Sequence, residues 1–229
     1  MENLLLFLRE HAVPFLALLC VPLSGFFLWE LRDELGLRGG KMIAAPFLYV
    51  VFGLLSIIVF SVIHDIPQLP HFTLHHQGML VVFPLLFPLI AKWLKKDWRD
   101  VSDVLAVSIP AIVAVLRTFC LLNGCCYGMY FPGTEVRIPL REAFMLINVL
   151  TSIGLMLWVR RKHTRGIILP VYLIGYGALR LIEVSLRDNP LWKNNPGDRV
   201  FALISIFAGL LLFSWITELG KAEEKRRSH

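Results

Sequence analysis

Charge is scarce in this sequence. Asp, Glu, Lys and Arg together make up 17% of the 229 residues, whereas 56% are hydrophobic, and the mean hydropathy is +0.66. Water-soluble domains carry about 25% charged residues, so the composition excludes an ordinary soluble domain and indicates a protein of the bilayer. The sequence also lacks internal repeats, low-complexity tracts and linkers, which predicts a single domain over residues 1–229.

The first residues, MENLLLFLREHAVPF, lack both a basic segment and a small-residue cleavage site. They therefore do not read as a removable signal peptide. We expect residues 1–11 to form a short apolar helix lying in the outer interface of the membrane. Residues 218–229 are expected to form a cytoplasmic tail.

Long apolar runs take the place of charge. Seven of them are long enough to span, or nearly span, the hydrocarbon core of a bilayer as helices. The sequence therefore predicts an all-α integral membrane protein with seven transmembrane helices. The expected spans are 12–31, 42–63, 77–94, 101–122, 142–160, 167–185 and 199–217.

The distribution of lysine and arginine predicts the orientation. Fifteen of these residues fall in loops 31–41, 92–100 and 160–166 and in the C-terminal tail, and six fall on the other side. Because cytoplasmic loops carry the excess, the N-terminus is expected outside and the C-terminus in the cytoplasm. The net charge of +6 is then attributed to contact with anionic lipid headgroups, and no nucleic-acid partner is expected.

Arg117 and Arg180 lie inside apolar runs. A central arginine costs ~2.5–3.5 kcal/mol on insertion scales, so such residues usually face a protein interior or a wet cavity. Snorkelling to the interface is the alternative. Counted from the cytoplasmic ends of their spans, Arg117 lies ~24 Å and Arg180 ~20 Å along the helix. Both are therefore expected at a similar depth, in the outer half of the bilayer.

Arg180 belongs to a polar helical face. Tyr176, Arg180, Glu183 and Arg187 recur at spacings of four, three and four, so they share one side of a helix that must point inward. Guanidinium groups bind phosphate oxygens bidentately, which predicts the phosphate of an anionic phospholipid as the ligand. Two roles are open for Glu183, namely holding an arginine in place and catalysis.

The segment RTFCLLNGCCYG, residues 117–128, holds three of the four cysteines. Cys120, Cys125 and Cys126 have three possible roles. The first is that they are small apolar residues that fill space beside glycines. The second is a disulfide from Cys120 to Cys125 or Cys126 on the oxidising side of the membrane. The third is that one of them is a nucleophile activated by Arg117.

Histidines cluster in LPHFTLHHQGML, residues 69–80. Histidine exchanges protons near neutral pH, so His76, or alternatively His75, is the candidate proton acceptor. No carboxylate or cysteine accompanies the histidines at ligand spacing, so no metal site is expected. No cofactor is expected either.

Over roughly residues 75–190 these motifs resemble the prolipoprotein diacylglyceryl transferase family. The sequence departs from the family pattern at Cys120 and Cys125, where the family has asparagine and glutamate, and it has Phe144 where the family has a second glutamate. The resemblance rests on the HQG step at His76, the spacing of fourteen from Asp103 to Arg117, the turn residues Asn123, Gly124 and Gly128, and the series Arg180, Glu183 and Arg187.

The resemblance implies transfer of the diacylglyceryl group of phosphatidylglycerol to the lipobox cysteine of a membrane-bound prolipoprotein, on the outer face of the bacterial inner membrane. It implies that Arg117 and Arg180 clamp the phosphate and that His76 accepts the thiol proton. Asn123, Gly124 and Gly128 are then expected to shape the turn over the headgroup.

Three alternatives stay open at this point. The first is a related phospholipid-dependent transferase with a different acceptor. The second is a membrane thiol–disulfide oxidoreductase that uses Cys120, Cys125 and Cys126. The third is a non-catalytic lipid-binding protein. Asp103 is expected to orient a helix at the cytoplasmic end rather than to act in catalysis.

Overall fold

The computed structural model describes residues 12–65, 80, 82–122, 126–161, 163–188 and 196–227. Within these residues the chain is helical and contains no β-strand; two isolated bridges join Gly128 to Arg187 and Tyr130 to Arg137. In chain order the elements are α1 (Ala12–Glu30), α2 (Arg32–Leu35), α3 (Gly40–Asp65), a 3-10 turn (Phe83–Leu86), α4 (Phe87–Leu94), α5 (Trp98–Leu122), α6 (Leu140–Val159), α7 (Ile168–Leu186) and α8 (Pro196–Arg227).

Five helices are long and apolar enough to cross a membrane, which confirms the expectation of an all-helical membrane protein. They lie within α3, α5, α6, α7 and α8 and coincide with five of the predicted spans. Two shorter apolar stretches, Leu18–Glu30 within α1 and Phe83–Leu94 over the 3-10 turn and α4, fall within the predicted spans 12–31 and 77–94. The count of seven spans and the orientation stay predictions. Residues 1–11 and the start of the third predicted span lie outside the described residues.

Helix α5 forms the centre of the bundle. It contacts α1, α2, α4, α6 and α7, and 83% of its span is buried. Val101, Ala106, Val107, Ile109 and Val113 are fully buried along its length. A helix that is apolar on every side belongs in the interior, because each of its faces needs a packing partner. The one charged residue in its C-terminal third is Arg117.

Helices α7 and α8 pack against each other more extensively than any other pair within the described part of the chain. Glycines make this close approach possible. A Cβ at Gly177 would lie 2.6 Å from the carbonyl oxygen of Ala202, and one at Gly209 would lie 2.8 Å from that of Pro170. Small residues at such contacts let helix backbones approach in a membrane. The close fit holds the start of α8 beside the end of α7.

Asp103 ties the opposite end of α5 to the start of α7. Its carboxylate accepts hydrogen bonds from the backbone N–H groups of Gly166 at 2.6 Å and Ile168 at 2.9 Å, and it lies 3.1 Å from the Nε2 atom of His163. A carboxylate at a helix N-terminus satisfies backbone donors that have no partner within the helix. This geometry agrees with the predicted role of Asp103 as a helix-orienting residue.

Candidate active site

Arg117 and Arg180 converge, as their predicted depths require. Arg117 lies in α5 and donates two hydrogen bonds to the carboxylate of Glu183, from Nη1 at 2.9 Å and from Nη2 at 2.5 Å. Arg180 lies in α7 and donates to the same carboxylate from Nη1 at 2.8 Å. The two guanidiniums therefore meet on Glu183, whereas the sequence led us to expect them to meet on a lipid phosphate.

Glu183 is the centre of this cluster. It is fully buried, and besides Arg117 and Arg180 it accepts a hydrogen bond from Nη2 of Arg187 at 2.7 Å. One carboxylate thus holds three arginines from two elements. A buried carboxylate in such contact stays ionised and fixes the positions of its partners. Of the two roles left open for Glu183, this geometry favours the positioning role.

Asp198 is the member of the cluster that sequence reasoning missed. It lies in the first turn of α8 and accepts hydrogen bonds from Nη2 of Arg180 at 2.8 Å and from Nη1 of Arg187 at 3.0 Å. The available signal was charge balance. Three buried arginines and one glutamate leave two uncompensated positive charges, so a second carboxylate at the same end of a neighbouring helix was to be expected.

The cluster carries a net positive charge and unused hydrogen-bond donors. Three guanidiniums and two carboxylates leave a net charge of +1. The Nε atoms of Arg117, Arg180 and Arg187 are buried and have no hydrogen-bond partner within the described residues. Each arginine uses its two terminal nitrogens on the carboxylates, so the edge that carries Nε stays available. The cluster therefore combines one net positive charge with three N–H donors that have no acceptor among the described residues.

The predicted polar face of α7 is confirmed. Tyr176, Arg180, Glu183 and Arg187 are all buried, with exposed fractions of 6%, 4%, 0% and 3%. Tyr176 lies one turn before Arg180, and its ring centroid is 6.0 Å from that of Tyr172. The Tyr172 hydroxyl is a further buried polar atom without a hydrogen-bond partner in the part of the chain that the structure describes.

Helix α6 closes the cluster on the side of Arg117. The Cζ atom of Arg117 lies 5.4 Å from the centroid of the Phe144 ring, which is close enough for a cation–π interaction. On this side the guanidinium of Arg117 therefore meets an aromatic face.

The turn after α5 reaches the cluster through its backbone. Gly128 forms an isolated bridge with Arg187, and the N–H of Met129 donates to the carbonyl of Leu186 at 2.9 Å. A Cβ on Gly128 would lie less than 3.0 Å from the Ile138 side chain, so a glycine is required there for close packing. Cys126 has a φ of +59°, which is rare for a residue other than glycine.

Several predicted residues lie outside the described part of the chain. They are His76, its alternative His75, Asn123, Gly124 and Cys125. Cys120 and Cys126 are described and are half-buried. The proton-acceptor role, the turn over the headgroup and the roles of the cysteines therefore stay predictions.

Comparison with known proteins identifies the family. The family model for prolipoprotein diacylglyceryl transferase matches residues 34–215. A phosphatidylglycerol–prolipoprotein diacylglyceryl transferase from Cupriavidus necator is 32% identical over 158 residues, covering 61% of this chain and 57% of the relative. The protein of that name from Paracidovorax citrulli is 27% identical over 159 residues, covering 61% and 58%. That from Clostridium tetani is 24% identical over 203 residues, covering 78% and 75%.

The chain spans about half the length of most of the curated relatives it matches, for example 57% of the Cupriavidus necator protein. The match to the family model is broader, because it begins before α3 and ends within α8. It includes all five charged residues of the cluster: Arg117, Arg180, Glu183, Arg187 and Asp198. The chain therefore belongs to the prolipoprotein diacylglyceryl transferase family.

Proposed function

We propose that this protein transfers the diacylglyceryl group of phosphatidylglycerol to the thiol of a lipobox cysteine in a prolipoprotein. The observation that carries the proposal is the buried cluster of Arg117, Arg180 and Arg187 with its net charge of +1. The phosphodiester of phosphatidylglycerol carries one negative charge, which this net charge matches. Family membership supplies the reaction class.

In this proposal the arginines that bind the phosphate are not free guanidiniums, because each is already held by a carboxylate. Glu183 and Asp198 hold the terminal nitrogens of the arginines, and the Nε–H groups are left to meet the phosphate oxygens. Donors held in place before the ligand arrives need no reorganisation during the reaction, and they are most effective where water is excluded. The carboxylates then act as positioning residues.

The chemistry follows from charge development. The thiol sulfur attacks the glycerol carbon that bears the phosphate, the carbon–sulfur bond forms as the carbon–oxygen bond breaks, and glycerol 1-phosphate leaves. The leaving phosphate gains negative charge, which Arg117 and Arg180 stabilise. The thiol proton passes to His76, directly or through water, in keeping with its predicted role. Both acyl chains stay attached to the glycerol.

The proposal places the reaction on the outer face of the bacterial inner membrane. Two facts support this placement. The cluster lies toward the C-terminal ends of α5 and α7 and at the start of α8, and fifteen lysines and arginines lie toward the opposite side. By the positive-inside rule that opposite side is cytoplasmic. The donor lipid then reaches the cluster from the outer leaflet.

The test is a transfer assay with the purified full-length chain, phosphatidylglycerol labelled in its acyl chains and a synthetic lipobox peptide. We expect a thioether-linked diacylglyceryl peptide and release of glycerol 1-phosphate. Arg117→Gln should reduce the rate by ~10²–10³, the range found when one donor to a developing oxyanion is removed. Arg165→Gln is the matched control, because Arg165 is 62% exposed and pairs with Asp100 far from the cluster.

The same assay separates the rival functions. No product from the wild type, together with oxidation of a dithiol peptide that is lost in Cys125→Ser and retained in Arg117→Gln, would favour the thiol–disulfide oxidoreductase. Binding of phosphatidylglycerol by the wild type without any product would favour a non-catalytic lipid-binding protein. Product with a thiol other than a lipobox peptide would indicate a transferase with a different acceptor. Circular dichroism of each variant checks that the helices are retained.

A further inference from the structure

A cavity lies at the end of the bundle opposite the arginine cluster. Its volume is about 500 Å³, which falls in the range of ~300–1,000 Å³ typical of small-molecule sites. It is enclosed by the loop after α2 and by parts of α1, α3, α4 and α5. Its wall is almost entirely apolar, with side chains that include Leu28, Ala45, Tyr49, Phe52 and Leu105.

The cavity opens beside α4 toward the hydrocarbon. Leu89 and Trp93 line it and are 57% and 40% exposed. On the neighbouring α3, the apolar side chains of Phe47 and Val51 are also more than half exposed. Exposed apolar surface on a membrane-spanning helix faces lipid chains. An acyl chain of a lipid in the surrounding leaflet can therefore reach the cavity without crossing a polar layer.

The rim of the cavity is basic. Lys92 lines the cavity, and the Nζ atom of Lys41 lies 5.8 Å from the centroid of the Trp93 ring. Neither lysine forms an ion pair with any acid among the described residues. Lys92 also borders an adjoining depression that contains Lys96 and Arg99. Its acid, Asp97, is bound to Arg99 at 2.8 Å, so the lysines stay available.

We propose that this cavity binds one anionic phospholipid, with an acyl chain in the apolar slot and the phosphate held by Lys92 and Lys41. The apolar wall alone would accept any lipid or detergent, whereas the unpaired lysines at its mouth favour a negative headgroup. Basic pockets between membrane helices recognise anionic headgroups in this way. Trp93 fits the interfacial position, where an aromatic ring meets both the chain and the charged rim.

This site is separate from the one proposed for the transfer reaction. Leu105, in the cavity wall, and Arg117, in the cluster, are twelve residues apart on α5, which corresponds to ~18 Å along the helix. Lysine and arginine excess marks the cavity end as cytoplasmic. The lipid bound there would belong to the inner leaflet, whereas the donor for the transfer reaction comes from the outer leaflet.

The test uses the full-length chain in phosphatidylcholine nanodiscs that contain phosphatidylglycerol with a photoreactive diazirine in one acyl chain. After illumination, labelled peptides are identified by mass spectrometry. We expect labels to concentrate on the cavity wall, at Leu48, Phe52 and Ile90, and to be displaced by unlabelled phosphatidylglycerol more effectively than by additional phosphatidylcholine. Lys92→Ala should reduce this labelling about five-fold, the factor expected for removing one lysine near an anionic headgroup.

Two further variants make the result decisive. Lys221→Ala removes an equal charge from a position of α8 that is 73% exposed, and it should leave the labelling unchanged. Ala45→Phe fills the slot and should reduce labelling while Lys92 is intact. Labels spread evenly over the lipid-facing surface, equal displacement by both lipids, or full labelling in Lys92→Ala would each overturn the proposal. The labelling experiment does not measure transfer activity, so a result that overturns the lipid site would not contradict the proposed function.

Discussion

Replacing Glu183 with glutamine tests whether this carboxylate is the main support of the arginine cluster. The substitution keeps the shape of the side chain and removes its charge. Glu183 is fully buried and accepts four of the six hydrogen bonds that join the three arginines to the two carboxylates. In Glu183→Gln the net charge of the cluster rises from +1 to +2, and the new amide N–H groups face guanidinium donors.

The magnitude follows from the loss of one buried partner. Removing one member of a buried ion pair costs ~3–5 kcal/mol, because the remaining charges are left uncompensated. The four hydrogen bonds are not summed, since they share a single charge. We therefore expect Glu183→Gln to lower the free energy of unfolding by ~3–5 kcal/mol. Asp198→Asn should cost less, ~1.5–3 kcal/mol, because Glu183 still pairs with both Arg180 and Arg187 in that variant.

The measurement is reversible unfolding of the full-length chain in mixed micelles, followed by far-UV circular dichroism as the proportion of denaturing detergent rises. Glu142→Gln is the control, because Glu142 is 49% exposed and its contact with Arg141 is long, at 3.4 Å. That change should stay within about 0.5 kcal/mol. The reasoning is refuted if Glu183→Gln costs less than Asp198→Asn, or no more than the control.

Three further predictions use the same unfolding measurement. Gly177→Ala should cost ~1–3 kcal/mol, because its Cβ would overlap the Ala202 carbonyl oxygen. Gly175→Ala is the control: it has open space around it and should be neutral or stabilise by up to about 1 kcal/mol. Equal effects of the two changes would contradict the close packing at Gly177. Asp103→Ala should cost ~1–3 kcal/mol through the lost acceptors for two backbone N–H groups at the start of α7, and a change near zero would exclude the capping role. Tyr172→Phe removes a hydroxyl without a partner among the described residues and should change the free energy of unfolding by less than about 0.5 kcal/mol. Tyr49→Phe loses a hydrogen bond to the Leu105 carbonyl and should cost about 1 kcal/mol. A larger cost for Tyr172→Phe than for Tyr49→Phe would show that the Tyr172 hydroxyl has a partner.

Much of the fold could be read from the sequence because membrane helices are coded locally. Within a bilayer every backbone polar group must be satisfied inside its own helix, so a sufficiently long apolar run is enough to identify a span. The five candidate spans begin and end within a few residues of the predicted ones, apart from α8, which continues to Arg227. The first and third predicted spans are described over the apolar helical stretches Leu18–Glu30 and Phe83–Leu94, and whether they cross the membrane completely stays a prediction.

The candidate site was predictable in part for a related reason. Buried charge in an apolar helix is costly, so Arg117, Arg180 and the face that includes Glu183 and Arg187 stood out from the residues alone. Asp198 did not, since an acid near a helix start is ordinary in any sequence. Its importance arises only when α8 folds back against α7.

The amino-acid sequence by itself determined that this is a helical membrane protein with inward-facing arginines at a common depth. Hydropathy, periodicity and the cost of a buried charge all act within single helices, so they can be read without the tertiary structure. The partner of each guanidinium was decided only by the tertiary structure. Glu183 and Asp198 come from different helices, and side-chain pairs depend on distances of a few ångströms between elements that are not neighbours in sequence. For the same reason, the apolar cavity with its lysine rim becomes visible only when α1, α3, α4 and α5 are packed together.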